Sequence, residues 1–118
     1  MNVSTILIVD DNRDLAAGLK AGLEEEGYEV YTAISAEDAI SLFQATDFDL
    51  TLMDVKLPGL DGINALLEIL KLKPDAKIIV MSGYKVGTLL EEATMRGAIS
   101  VLQKPFNVEQ VLDLIRDL

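Results

Sequence analysis

Short apolar runs alternate with amphipathic segments five times along the chain, with no linker-like stretch between them. The first run, Thr5-Ile6-Leu7-Ile8-Val9, is continuously β-branched and aliphatic. A strand covered on both faces needs such a run, whereas a strand with one wet face alternates. Leu15, Leu19 and Leu23 then recur at intervals of four, which predicts a helix stopped by Gly27. Tyr28 to Ala33 mixes polar and apolar positions and reads as a strand near the sheet edge. Ser35-Ala36-Glu37-Asp38 has the look of a capping box and opens a second helix that turns Ala39, Ile40 and Phe43 inward. The third strand runs from Leu50 to Met53 and ends at Asp54.

Pro58, Gly59 and the Asp61-Gly62 pair predict a turn, and Ile63, Leu66, Leu67 and Leu70 give the third helix its apolar stripe. Pro74 and Asp75 break that helix before a fourth strand over Lys77 to Met81. Ser82-Gly83 starts a loop into a weaker helix, Val86 to Arg96, closed by Gly97. Val101-Leu102 marks a short fifth strand, and Asn107 caps a final helix with Val108, Val111, Leu112 and Ile115 facing inward. Strict β-α alternation predicts an α/β fold, a doubly wound parallel sheet with helices on both faces. Spacing alone does not order the strands.

Composition narrows the chemistry. The 118 residues suit one domain, and half are hydrophobic, enough to bury a core without staples. Cysteine and histidine are both absent, which excludes disulfides, thiolate zinc sites, imidazole ligands and a phosphohistidine on this chain. Ten basic against twenty acidic residues give a net charge of −10, a surface that repels nucleic acid phosphates. Glu24-Glu25-Glu26 reads as a solvated face. Met1 is followed by a polar turn and a buried-strand pattern, so no signal peptide is expected, no apolar run reaches membrane-spanning length, and a cytoplasmic location fits.

In an open parallel sheet, ligands bind beyond the carboxyl ends of the strands. Strand one ends in Asp10-Asp11, strand three in Asp54 and strand four in Ser82, while strand five runs through Gln103 into Lys104-Pro105. Three aspartates on one rim repel one another unless a cation sits among them, and Mg²⁺ prefers such hard oxygen ligands. A carboxylate can also attack a phosphoryl group, with a metal and a lysine neutralising charge on the equatorial oxygens. Singly, each residue has a duller role. Asp10 or Asp11 reads as a helix cap, Asp54 equally as a turn residue before Pro58-Gly59, and Ser82-Gly83 and Lys104-Pro105 as ordinary loop starts. Asp61-Gly62 reads as structural. Only their shared rim favours chemistry.

The strings ILIVDDN, LMDVKLPGLDG, IIVMSGY and GAISVLQKPF, in this order and spacing, resemble the receiver domain of two-component response regulators over essentially the whole chain, residues 1–118. The resemblance implies a flavodoxin-like five-stranded sheet of order 2-1-3-4-5. It implies that Asp54 is the phosphoacceptor and that Mg²⁺, or Mn²⁺ in its place, is held by Asp11 and Asp54 directly, by Asp10 largely through water, and by the Lys56 backbone carbonyl. Ser82 matches the hydroxyl that hydrogen-bonds the phosphoryl group, Lys104 the lysine that pairs with it, and Pro105 a cis Lys-Pro bond. One residue departs from the pattern. Val101 stands where the family usually has an aromatic ring that swings inward when the hydroxyl moves, and valine, smaller and stiff at χ1, cannot make that swing.

The implied partners are a histidine kinase or phosphotransfer protein as donor, docking on the first helix and the site loops. Output is expected on the face made by the 86–96 helix, strand five and the final helix, where adjacent Leu89 and Leu90 suggest some apolar surface. Lys56 and Tyr84 are expected to tune the lifetime of the phosphoaspartate. The domain is expected as a monomer or a phosphorylation-dependent dimer, a signalling module and not an enzyme in its own right, free-standing or cut from a longer regulator or hybrid histidine kinase. Rival readings are a Mg²⁺-dependent phosphohydrolase with an aspartyl nucleophile, which places Asp-x-Asp on strand one where this chain has adjacent aspartates, and a flavin carrier, whose phosphate Asp10-Asp11-Asn12 would repel. An inactive receiver used only for binding fits least, since the site is intact.

Overall fold

The structure, a computed structural model, describes residues 3–56, 62–83 and 94–118. Strands β1 (Thr5–Val9), β2 (Glu29–Ala33), β3 (Leu50–Asp54), β4 (Ile78–Ser82) and β5 (Ser100–Gln103) and helices α1 (Arg13–Glu25), α2 (Ala36–Ala45), α3 (Gly62–Leu72) and α4 (Val108–Arg116) follow, among the described residues, in the order β1-α1-β2-α2-β3-α3-β4-β5-α4. The strands form one parallel sheet in the order β2-β1-β3-β4-β5. The expected turn at Pro58, Gly59 and Asp61, residues 86–93 of the expected fourth helix, and Tyr84 lie outside the described residues; Thr94 and Met95 are helical. Among the described residues no helix is long and apolar enough to cross a membrane.

Period two sorts the sheet's side chains into two cores. Ile6, Ile8, Leu50, Leu52, Ile79 and Met81 face α1 and α4, meeting Leu19, Leu23, Val111 and Ile115. Leu7, Val9, Met53, Ile78 and Val80 face α2 and α3, meeting Ala39, Phe43, Leu66 and Ile69. Strands β1, β3 and β4 are buried along almost their whole length and are apolar but for Thr5, Thr51, Asp54 and Ser82, whereas the edge strand β2 keeps Glu29 and Thr32 in water. The α3 stripe is centred one step from the expected one. Ala65, Leu66 and Ile69 are fully buried, while Ile63, Leu67 and Leu70 lie on its half-buried flanks.

Helix ends are closed by local chemistry. Asn12 caps α1 by accepting from the Leu15 N–H at 3.1 Å, which leaves both neighbouring aspartates out of that role. The other end of α1 is a Schellman turn: Gly27, at φ 97°, donates to the Glu24 carbonyl, and the Tyr28 N–H returns to Leu23. Ser35 caps α2 through its hydroxyl, but the shorter Asp38 makes no return bond among the described residues, so only half of the expected box forms. The full capping box sits at α4, where Asn107 and Gln110 exchange bonds of 3.0 Å. Gly97 adopts φ 113°, where the backbone favours glycine, and a Cβ there would stand 2.5 Å from Leu70 Cδ1 and push that methyl aside.

Candidate functional site

All the strand carboxyl ends open on one rim, and residues that carry chemistry converge there. Asp10 follows β1 directly and is completely buried. Its Oδ1 accepts from the Asn12 N–H at 2.9 Å. Asp54, the last residue of β3, is 6% exposed, and its Oδ1 accepts from the Lys56 N–H at 3.1 Å. Both aspartates thus close the same small Asx turn with the backbone two residues on, which fixes each carboxylate at its strand end.

Lys104 joins them. Its ammonium lies 2.8 Å from Asp10 Oδ2 and 3.0 Å from Asp54 Oδ2, with the lysine side chain 20% exposed. β5 delivers it: the Lys104 N–H donates to the Ser82 carbonyl at 2.6 Å, extending the β4–β5 pairing past Gln103, and the Lys104–Pro105 peptide is cis. Ser82, buried, ends β4 one position beyond Met81, the register partner of Asp54. Asp11 is exposed beside this group, and one oxygen from each of Asp10, Asp11 and Asp54 lies within 4.8 Å of the others.

Burial pushes the Asp54 carboxyl above its ordinary range, and the Asp10 charge adds to the effect, against the opposing hydrogen bonds from Lys56 and Lys104. Burial also works to lower Lys104, but its bonds to Asp10 and Asp54 outweigh that, and the ammonium is held above the usual lysine value. Three carboxylates facing one ammonium leave two negative charges uncompensated. Two of those carboxylates are out of water, all the donors are hard oxygens, and the spacing brings them onto one small ion. This donor set fits a divalent cation such as Mg²⁺.

Above Asp54 lies an open cavity of about 320 Å³ lined by Asp54, Val55, Lys56, Gly83 and Lys104. Of the residues expected here from sequence, the fold brings Asp10, Asp11, Asp54 and Lys104 into one cluster, sets Ser82 at its edge, and turns the Lys56 amide onto Asp54. Pro105 is exposed. Val101 is half-buried opposite Val80 on the α2–α3 face and does not line the cavity. Sequence reasoning missed the part played by the Asn12 and Lys56 amides, although an aspartate at a strand end is itself the signal for an Asx turn. It also missed Gly83 and Val55 as walls, which no local pattern announces.

The sequence profile described as the response regulator receiver domain matches residues 6–116. A response regulator receiver protein from Anaeromyxobacter sp. is 37% identical over 108 residues, covering 92% of this chain, which spans only 45% of that relative. Sporulation initiation phosphotransferase F of Bacillus subtilis is 30% identical over 111 residues, covering 94% of this chain and 90% of the relative. A crystal structure of a response regulator protein from Burkholderia pseudomallei, with a phosphorylated aspartic acid, calcium ion and citrate, superposes at a TM-score of 0.88 with 34% identity, covering 95% of this chain and 66% of that one. With the 2-1-3-4-5 parallel sheet, the acidic rim and the family profile in agreement, this chain belongs to the response regulator receiver domains, signalling modules of two-component systems.

Proposed function

We propose that Asp54 accepts a phosphoryl group from a phosphohistidine on a histidine kinase or phosphotransfer protein. The observation that carries this reading is a nearly buried carboxylate at the floor of the cavity, within 4.8 Å of two further carboxylates and paired with one ammonium. An Asp54 oxygen forms the new bond to phosphorus while the bond to the donor nitrogen breaks and its electron pair returns to the imidazole. Lys104 moves its charge from the carboxylates to the incoming oxygens, and the Ser82 hydroxyl donates to one of them. Asp11 and Asp54, the Lys56 carbonyl and, through water, Asp10 would hold Mg²⁺ or Mn²⁺. When bound, the metal neutralises phosphoryl charge that one lysine cannot balance alone. The phosphorylated aspartate and calcium ion of the Burkholderia protein support the assignment, as does the phosphotransferase name of the Bacillus relative.

Output then passes through the face formed by residues 86–96, β5 and α4. Because Val101 cannot swing as a ring does, that face responds through loop and helix shifts. The domain, residues 1–118, works in the cytoplasm, as a monomer or a phosphorylation-dependent dimer. It is free-standing or part of a longer regulator or hybrid kinase, and its chemistry is confined to its own phosphorylation and slow dephosphorylation. Incubation with acetyl phosphate, with and without Mg²⁺, tests the central step by intact mass. One metal-dependent adduct of a single phosphoryl group is expected in the native chain and none in Asp54→Asn. An adduct that persists in the variant would remove Asp54 from its role.

A further inference from the structure

Thr51 lies within β3, 1% exposed, and its hydroxyl has no hydrogen-bond partner among the described residues. Its register partners Leu7 and Ile78, and Met53 two positions on, all belong to the core beneath α2 and α3, so the hydroxyl stands in that apolar layer. It has lost its water and gained nothing in exchange, which destabilises the packing above it. The layer is also lightly filled. Five of its thirteen buried apolar residues are alanines, against one of fourteen in the layer under α1 and α4, so less apolar surface pins its helices. On its outer flank α3 leaves Leu67 and Leu70 half-buried, lining an open groove of about 460 Å³ that reaches Arg96.

We infer that α3 is a sliding element, with the Thr51 hydroxyl as the weak point that frees it. The groove lies on the Arg96 side of α3, towards β5, and β4 separates β5 from β3 in the sheet. A shift of α3 into the groove is therefore a shift away from β3. That one movement relieves two deficits, because Leu67 and Leu70 gain cover while Thr51 gains water. The opposite layer has no such device. There the bare Gly22 admits Val108 at the α1–α4 contact, and no buried side-chain polar atom is unpaired among the described residues. α3 is the next helix after Asp54, and the Lys56 amide on Asp54 Oδ1 begins the connection between them. A phosphoryl group on Asp54 changes what that amide meets, and α3 is the element free to respond. This last step rests on the phosphoacceptor reading; the loose seat of α3 does not.

Hydrogen exchange read by mass spectrometry tests this on the full chain, comparing native protein with Thr51→Val and Thr51→Ser. Valine keeps the shape and removes the hydroxyl, whereas serine keeps the hydroxyl. In metal-free native protein the α3 amides are expected to exchange roughly tenfold faster than those of α1 and α4. Thr51→Val should slow α3 about tenfold and leave α1 unchanged, the effect of one unpaired hydroxyl removed, and Thr51→Ser should exchange at least as fast as native. Equal α3 exchange in native protein and Thr51→Val overturns the proposal. So does a Thr51→Val variant that melts below native, since the hydroxyl then has a partner in water. Mg²⁺ with beryllium fluoride, a phosphoryl mimic, probes the link to the site, and it is expected to change α3 exchange in native protein far more than in Thr51→Val. An α3 that ignores bound mimic overturns the link while leaving Asp54 as acceptor. Mimic that protects no amide around Asp54 overturns the acceptor reading instead, and the metal-free comparison still decides whether α3 slides.

Discussion

Lys104 holds together two acids that the fold has stripped of water, and its removal exposes what that costs. Lys104→Met leaves Asp10 and Asp54 without a counter-charge, and a loss of about 1–3 kcal/mol in metal-free urea unfolding at pH 7 is expected. Unchanged stability would mean that water already solvates the pair. The lysine is held above the ordinary lysine value of 10.5, so its contribution is fully present below pH 10.5 and is lost as pH rises through the raised value. Asp54 has a raised value too, but in an acid the consequence is reversed at neutrality. The fold favours its protonated form, so its contribution is fully present below pH 3.8 and is lost as pH rises through the raised value. Metal-free Asp54→Asn is accordingly expected to melt above native protein at pH 7, and saturating Mg²⁺ to narrow the gap by stabilising native protein alone. Calorimetry at pH 7 checks this; a variant that melts lower would show that the carboxylate is not under strain.

Helix α1 offers a test at the level of one element, because two of its glycines sit in opposite surroundings. Gly18 has no described atom within 4 Å of an added Cβ, whereas at Gly22 that atom would stand 2.6 Å from Val108 Cγ2 at the α1–α4 contact. Gly18→Ala should stabilise the chain by roughly 0.5–1 kcal/mol through helix propensity alone. Gly22→Ala should lose that gain and more, since the stiff valine has no free rotamer into which to retreat. Denaturant midpoints of the two variants shifting in the same direction would contradict the packing. No sequence pattern distinguishes these glycines; the difference comes from a helix 86 positions further on. The same limit explains the other misreadings. Existence and type of the described elements followed from periodicity, but Ile69 and Ala65 displaced the expected centre of α3 because the sheet they pack on was not yet placed. Asp38 satisfies a capping pattern on paper, yet its carboxylate is a methylene too short to make the return bond that Gln110 makes at α4. At the rim, Asp10, Asp11, Asp54, Ser82 and Lys104 were legible as strand ends. The amides that orient two of them were signalled only by aspartate at a strand end, and the cavity walls at Val55 and Gly83 depend on loop geometry that residue types do not encode.

Across the whole molecule the two ends of the sheet treat aspartate in opposite ways. At the amino end Asp49 accepts from the Thr5 N–H, the Ser4 N–H and the Ser4 hydroxyl, each at 2.9 Å, and these bonds hold its carboxyl below the ordinary range. Its contribution is present above pH 3.8 and is lost as pH falls through the lowered value, the reverse of Asp54. One rim is fastened and the other is strained, the pattern that the proposed phosphoacceptor role of Asp54 would call for. Strand order was not available from spacing and entered through family resemblance, since a crossover helix fits beside several neighbouring strands equally well. The bridge from Lys104 to Asp10 spans 94 positions of sequence. During synthesis the acids of β1 and β3 leave the ribosome long before the ammonium that balances them. A nascent chain halted short of β5 carries an unneutralised pair at its heart, so the last strand to emerge also licenses the first to settle.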